Sequence, residues 1–123
     1  AKKDGHLIWD VDALFEHILL GMKKCKEKNI VYLELLRRGF EVTVGKNGTK
    51  EIDFVCNKHG EKLYVQVTYL LASQETINRE FGAYDNIKDN FPKYVVSLDE
   101  FDMSQNGIKH RNIRDFLLEK EWN

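Results

Sequence analysis

Asp53, Gln66 and Thr68 are the residues of this chain whose types and spacing could do chemistry. They lie in EIDFVCNKHGEKLYVQVT, residues 51–68, where apolar and polar side chains alternate on both sides of a short polar turn. That pattern predicts a β-hairpin. If Lys58 to Glu61 form the loop, Asn57 pairs with Lys62, Val55 with Tyr64, and Asp53 falls opposite Gln66. Ile52, Phe54, Cys56, Leu63, Val65 and Val67 then line the other face without a polar interruption, which fixes the register. A carboxylate is thereby expected beside an amide and a hydroxyl on the non-core face of a half-buried sheet. A second acid and an amine would turn this trio into a metal-dependent site for phosphodiester cleavage. Glu34, on the preceding helix, is the nearest candidate for an outside acid, although Arg38 four residues later offers it an ordinary helical ion pair.

The flanking elements must position this hairpin. Residues 1–24 read as a polar lead-in followed by an amphipathic helix that Asp10 can cap, with Val11, Leu14, Phe15, Ile18 and Leu19 in one stripe. A lysine-rich stretch holding Lys23, Lys24, Lys26 and Lys28 follows. A second helix is expected over about residues 25–38 with Ile30, Leu33 and Leu36 inward, stopping at Gly39. Phe40 to Val44 alternates as a strand, and Asn47-Gly48 signals a hairpin turn. Ser73 begins a third helix with Phe81, Tyr84 and Ile87 along one side, ending before Pro92. A buried strand over 94–98, a loop over 99–107, an edge strand over 108–112 and a last helix over 113–121 complete the order. Three antiparallel strands, a helix and a return strand predict an α/β fold with a mixed sheet. The 69–94 crossover is long enough for a parallel neighbour. Residues 25–123 are expected to form one domain.

Composition narrows the function classes. The 123 residues carry 19 basic and 20 acidic side chains, a net charge of −1, so no global field draws the domain to nucleic acid or an anionic membrane. Binding to a polyanion would need a local patch, for which Lys46 and Lys50 at the first hairpin and Arg79 in the third helix are the candidates. No segment has the length of a membrane span and no signal-peptide layout is present, so a cytoplasmic protein is expected. Cys25 and Cys56 suggest neither a disulfide framework nor a zinc spacing, and His6, His17, His59 and His110 are scattered. Tyr32, Tyr64, Tyr69, Phe81, Tyr84 and Phe91 read as core or half-buried rings. Gly45 and Gly48 lead into no helix, so a phosphate-cradling loop is ruled out, and the chain has no GxxxxGK[ST] ATPase motif.

Longer phrases carry a resemblance. NIVYLELLRRGFEVTVGKNGTKEIDFV, GEKLYVQVTYLLAS, REFGAYDNIKDNFPKYVVSLDEFD and GIKHRNI, over about residues 29–118, resemble the C-terminal domain of unknown function that follows the ATPase module in a group of prokaryotic AAA+ proteins. Where that family usually has glutamate, just before the counterpart of Asn29, this chain has Lys28, with Glu27 one place earlier. The family domain is more distantly similar to the PD-(D/E)xK nuclease-like fold, also called restriction-endonuclease-like. The resemblance implies that Asp53 matches the strand acid and metal ligand, and that Gln66-Val67-Thr68 occupies the (D/E)-x-K triplet. Both chemical members of the triplet differ. Gln66 removes one carboxylate from a Mg²⁺ site, and Thr68 offers a neutral hydroxyl where a lysine would stabilise charge developing on phosphorus.

The expected function is therefore a non-catalytic accessory domain of an AAA+ ATPase family that recognises nucleic acid or a protein, the ATPase module or another partner, through a degenerate nuclease-like site. Two alternatives accompany it. One is a weak metal-dependent nuclease that uses Mg²⁺ with Asp53, Gln66 and Glu34. The other is an oligomerisation or docking module that presents the amphipathic segment 10–20.

Overall fold

The computed structural model describes residues 26–123. The lead-in and amphipathic helix expected over residues 1–24, with Lys23 and Lys24, lie outside the described residues, as does Cys25. Helix α1 (Lys26–Arg37) precedes a meander of β1 (Glu41–Asn47), β2 (Lys50–Lys58) and β3 (Glu61–Val67). Helix α2 (Gln74–Gly82), β4 (Lys93–Ser97), β5 (Lys109–Asn112) and α3 (Ile113–Leu118) follow. The strands form one mixed sheet in the order β1-β2-β3-β4-β5, antiparallel from β1 to β3 and parallel from β3 to β5. No helix among the described residues is long and apolar enough to cross a membrane.

Local chemistry explains the hairpin. Val55 pairs with Tyr64 and Asn57 with Lys62, the expected register, and Lys58–Glu61 adds one more pair. The turn therefore shrinks to His59 and Gly60, both left-handed at φ 53° and 81°. Such a two-residue turn matches the twist of the strands it joins.

Both faces of the sheet are buried, which corrects the expected half-buried sheet. On one face Val31 and Leu35 of α1 and Phe116 of α3 pack on Phe54, Cys56, Leu63, Val65, Val67, Tyr94 and Val96. On the other, Phe81, Ala83 and Tyr84 pack on Ile52, Tyr64 and Val95, with Leu71 and Ile108 from the loops. Ile52 thus belongs to the opposite face from Phe54 and Cys56, although all three share one parity. The cause is a bulge. Thr43 pairs with Val55 and Gly45 with Ile52, so three steps along β2 answer two along β1. The extra residue of β2 inverts the facing of everything before it.

Three further expectations are corrected. Helix α1 turns Val31 and Leu35 inward, leaving Ile30 and Leu33 exposed. Helix α2 ends at Gly82 rather than near Pro92, with Asn86 left-handed at φ 68° beyond it. Tyr69 is 60% exposed, past the end of β3 and outside both cores.

Candidate functional site

The β2 bulge falls at Asp53, and the β2–β3 ladder ends just short of it, at Phe54–Val65. Side chains replace the ladder beyond that pair. The Asp53 N–H donates to Gln66 Oε1 at 2.6 Å, and the Val67 N–H donates to Asp53 Oδ2 at 2.9 Å. Gln66 Nε2 donates to the Glu80 carbonyl of α2 at 3.3 Å. Gln66 is buried beneath α2, so the amide satisfies backbone groups that would otherwise be stranded in a dry interface.

The second oxygen of Asp53 is also taken. Lys28, reaching down from α1, places Nζ 3.1 Å from Oδ1, with both side chains largely buried. Asp53 therefore joins α1, β2 and β3 through one carboxylate. Around it lies a pocket of about 530 Å³ lined by Lys28, Lys50, Asp53, Gln66, Arg79 and Glu80, among others.

Glu51 and Glu80 are the other acids of this pocket, and Glu80, the buried one, arrives from a helix rather than from β3. It is buried, with Oε2 accepting from Arg79 Nε at 3.3 Å. Burial, and then the charge of Asp53, push its carboxyl above the usual range, with Arg79 and Lys28 opposing. Lys28 and Glu80 were not foreseen as site residues, yet each left a signal. Lys28 stands three and seven residues before Val31 and Leu35, on the face that α1 buries. Glu80 follows Ile77 by three residues and precedes Phe81, on the side of α2 that packs on the sheet.

The remaining sequence candidates are dispersed. Thr68 lies one residue beyond β3, and its N–H extends the parallel pairing by donating to the Val96 carbonyl at 2.9 Å; it does not line the pocket. Glu34 faces elsewhere, forked between Arg37 at 2.6 Å and Arg38 at 2.7 Å. Arg37 and then Arg38 hold its carboxyl down to about 2, against burial. Lys50 and Arg79 do reach the pocket rim, Lys50 donating to the Gly82 carbonyl and to Asp85 at 3.0 and 3.2 Å. Lys46 sits on exposed β1 outside the pocket.

These residues do not fit a Mg²⁺ ion. An ammonium occupies the position next to Asp53 Oδ1 that a cation would take, and Oδ2 is committed to a backbone donor. Among the described residues no group of three or more His, Cys, Asp or Glu side chains could hold a metal.

No family model matches the chain, and no solved structure matches it. The chain is 39% identical over 93 residues to an uncharacterized protein of Haemophilus influenzae, a match covering 75% of this chain and 22% of that protein. It is 38% identical over 69 residues to a protein of Halalkalibacterium halodurans named rhamnulokinase, covering 55% of this chain and 13% of that one. The chain thus spans about a fifth of the first relative and about an eighth of the second.

Proposed function

We propose that this chain is a non-catalytic accessory domain with a degenerate PD-(D/E)xK-like site, serving recognition within a larger AAA+ ATPase assembly. The observation that carries this reading is the full occupation of Asp53, one oxygen by Lys28 and the other by the Val67 N–H. A metal-dependent hydrolase needs that carboxylate open to an ion. Here it serves as a tie between a helix and two strands. The element order, a helix, a three-strand meander, a helix and a parallel return strand, supports the nuclease-like ancestry. A relative several times longer than the matched region supports a role as one part of a larger protein.

Recognition at the pocket itself favours no polyanion, because Lys28, Lys50 and Arg79 are each paired with a carboxylate, Asp53, Asp85 and Glu80 respectively. Of the three cations expected to form a polyanion patch, only exposed Lys46 lacks a carboxylate partner among the described residues. Salt-dependent binding of labelled DNA and RNA, compared with a Lys46→Glu variant, separates a nucleic-acid role from a protein-binding one.

The test of the main reading joins two measurements. Millimolar Mg²⁺ or Mn²⁺ is expected to leave the melting temperature unchanged, since an ion that bound only the folded state would raise it. The double variant Gln66→Glu, Thr68→Lys is expected to remain silent on DNA, because position 68 lies outside the pocket. Cleavage of DNA by the unmodified chain with Mg²⁺ would overturn the reading.

A further inference from the structure

The β2–β3 turn, the residues entering β4 and the C-terminal tail enclose a groove of about 710 Å³ that shares no lining residue with the Asp53 pocket. Its apolar wall includes Phe40, Leu63, Phe91, Pro92 and Trp122. Its charged lining carries four cations, Arg38, Lys58, Lys62 and Lys120, against two acids, Glu61 and Glu121. This local excess of positive charge runs against the −1 of the whole chain.

Two of the four cations are engaged in the fold. Arg38 donates to Glu34 and to the Leu117 and Lys120 carbonyls, and Lys58 donates to the Arg38 carbonyl at 2.6 Å. Lys62 and Lys120 are exposed and form no ion pair among the described residues. They are the pair left to meet an incoming anion.

The aromatic geometry decides the class of occupant. Trp122 has the Arg38 guanidinium 3.8 Å from its ring centre and the Phe116 ring stacked at 4.4 Å, so both of its faces are covered. Phe40 leans on Trp122 at 6.0 Å and carries Lys58 at 5.4 Å. Neither of these rings offers an open face for a nucleobase, and Phe91, half-buried against the α2-side core, leaves a single ring where binding of single strands by stacking uses successive ones. What remains is an apolar wall of Leu63, Phe91 and Pro92 beside two unpaired lysines. That combination suits a polypeptide with one bulky apolar side chain flanked by carboxylates.

We infer that this groove docks an acidic segment of a partner protein, seating one apolar side chain against Phe91 and Pro92 and its carboxylates on Lys62 and Lys120. The inference stands whether or not the Asp53 pocket is catalytically silent.

The test is fluorescence anisotropy of the full chain with the labelled peptide Asp-Glu-Leu-Phe-Asp-Glu. Binding is expected to weaken as salt rises, and to weaken at least about tenfold in a Lys62→Glu, Lys120→Glu variant whose melting temperature is unchanged. Lys88→Glu, an exposed charge reversal away from the groove, is expected to bind as the unmodified chain does. Replacing Leu-Phe in the peptide by Ala-Ala is expected to abolish most of the affinity. Equal binding of Lys-Lys-Leu-Phe-Lys-Lys, no loss in the double variant, or displacement of the peptide by a short oligothymidylate would each overturn the assignment.

Discussion

At Asp53 the direction of a stability change distinguishes two roles. A carboxylate kept open for a ligand is commonly a strained residue, and its removal relieves the fold. One that satisfies a backbone N–H and a half-buried ammonium leaves both stranded when removed. Asp53→Ala is accordingly expected to destabilise the domain by about 2 kcal/mol, read as a lower urea midpoint at constant slope. An unchanged or higher midpoint would show that the tie is energetically idle. Glu34 makes a prediction of a different kind. Its carboxyl is held down to about 2 by Arg37 and Arg38, from an ordinary value of 4.5. The stability it contributes is therefore complete above pH 4.5 and disappears as the pH falls toward 2. Glu34→Gln is expected to flatten that acid limb in a series of thermal melts, with parent and variant converging only as the pH reaches about 2.

Among the elements, the bulge of β2 does most to shape the site. It ends the ladder to β3, frees the Asp53 N–H for Gln66, and turns Ile52 to the α2 face. Nothing in Asp53-Phe54 announces it, since neither residue has unusual backbone freedom. The nearest trace is Gly45 across the ladder, where an added Cβ would stand 2.3 Å from Val55 Cγ2. Gly45→Ala is therefore expected to cost about 1–3 kcal/mol. The loss should be recovered in part by Val55→Ala in a double-mutant cycle, and strict additivity would refute the proposed contact. The β2–β3 register, by contrast, was legible, because Phe54, Cys56, Leu63, Val65 and Val67 alternate without exception. The α1 face was misjudged because Ile30, Val31, Leu33, Leu35 and Leu36 offer apolar residues all around the helix. Only the sheet and the Lys28–Asp53 tie select the Val31–Leu35 side. The early end of α2 was hidden by Tyr84 and Ile87, which keep helical spacing with Phe81 while belonging to the turn beyond it.

On the scale of the whole molecule, the parallel half of the sheet is joined to its loops through one buried histidine. His110 of β5 is 1% exposed, with Nε2 2.7 Å from Ser97 Oγ and Nδ1 accepting the Met103 N–H at 3.1 Å. Because Nδ1 accepts, the proton of the neutral ring sits on Nε2 and is donated to Ser97, whose hydroxyl donates to Asp99 at 2.7 Å. The direction of this chain makes Ser97 a link in a loop tether rather than a nucleophile activated by a base. Burial lowers the affinity of His110 for a proton, with Asp99 and Asp102 opposing and Arg111 assisting. The unfolded chain binds that proton first, so stability is expected to fall as the pH drops through the unfolded value of 6.5. His110→Gln should remove that portion of the pH slope at some cost in overall stability. An unaltered slope between pH 7 and 5 in denaturant titrations would exclude the tether from the pH response.

The clasp around Trp122 also has an optical use. The chain contains two tryptophans, Trp9 and Trp122, and the second is held between a guanidinium and a phenyl ring. With Trp9→Phe, a single indole would remain whose emission reports whether the carboxy-terminal tail is seated. A red shift on adding a ligand, without loss of circular dichroism, would mark the tail lifting away while the sheet stays intact.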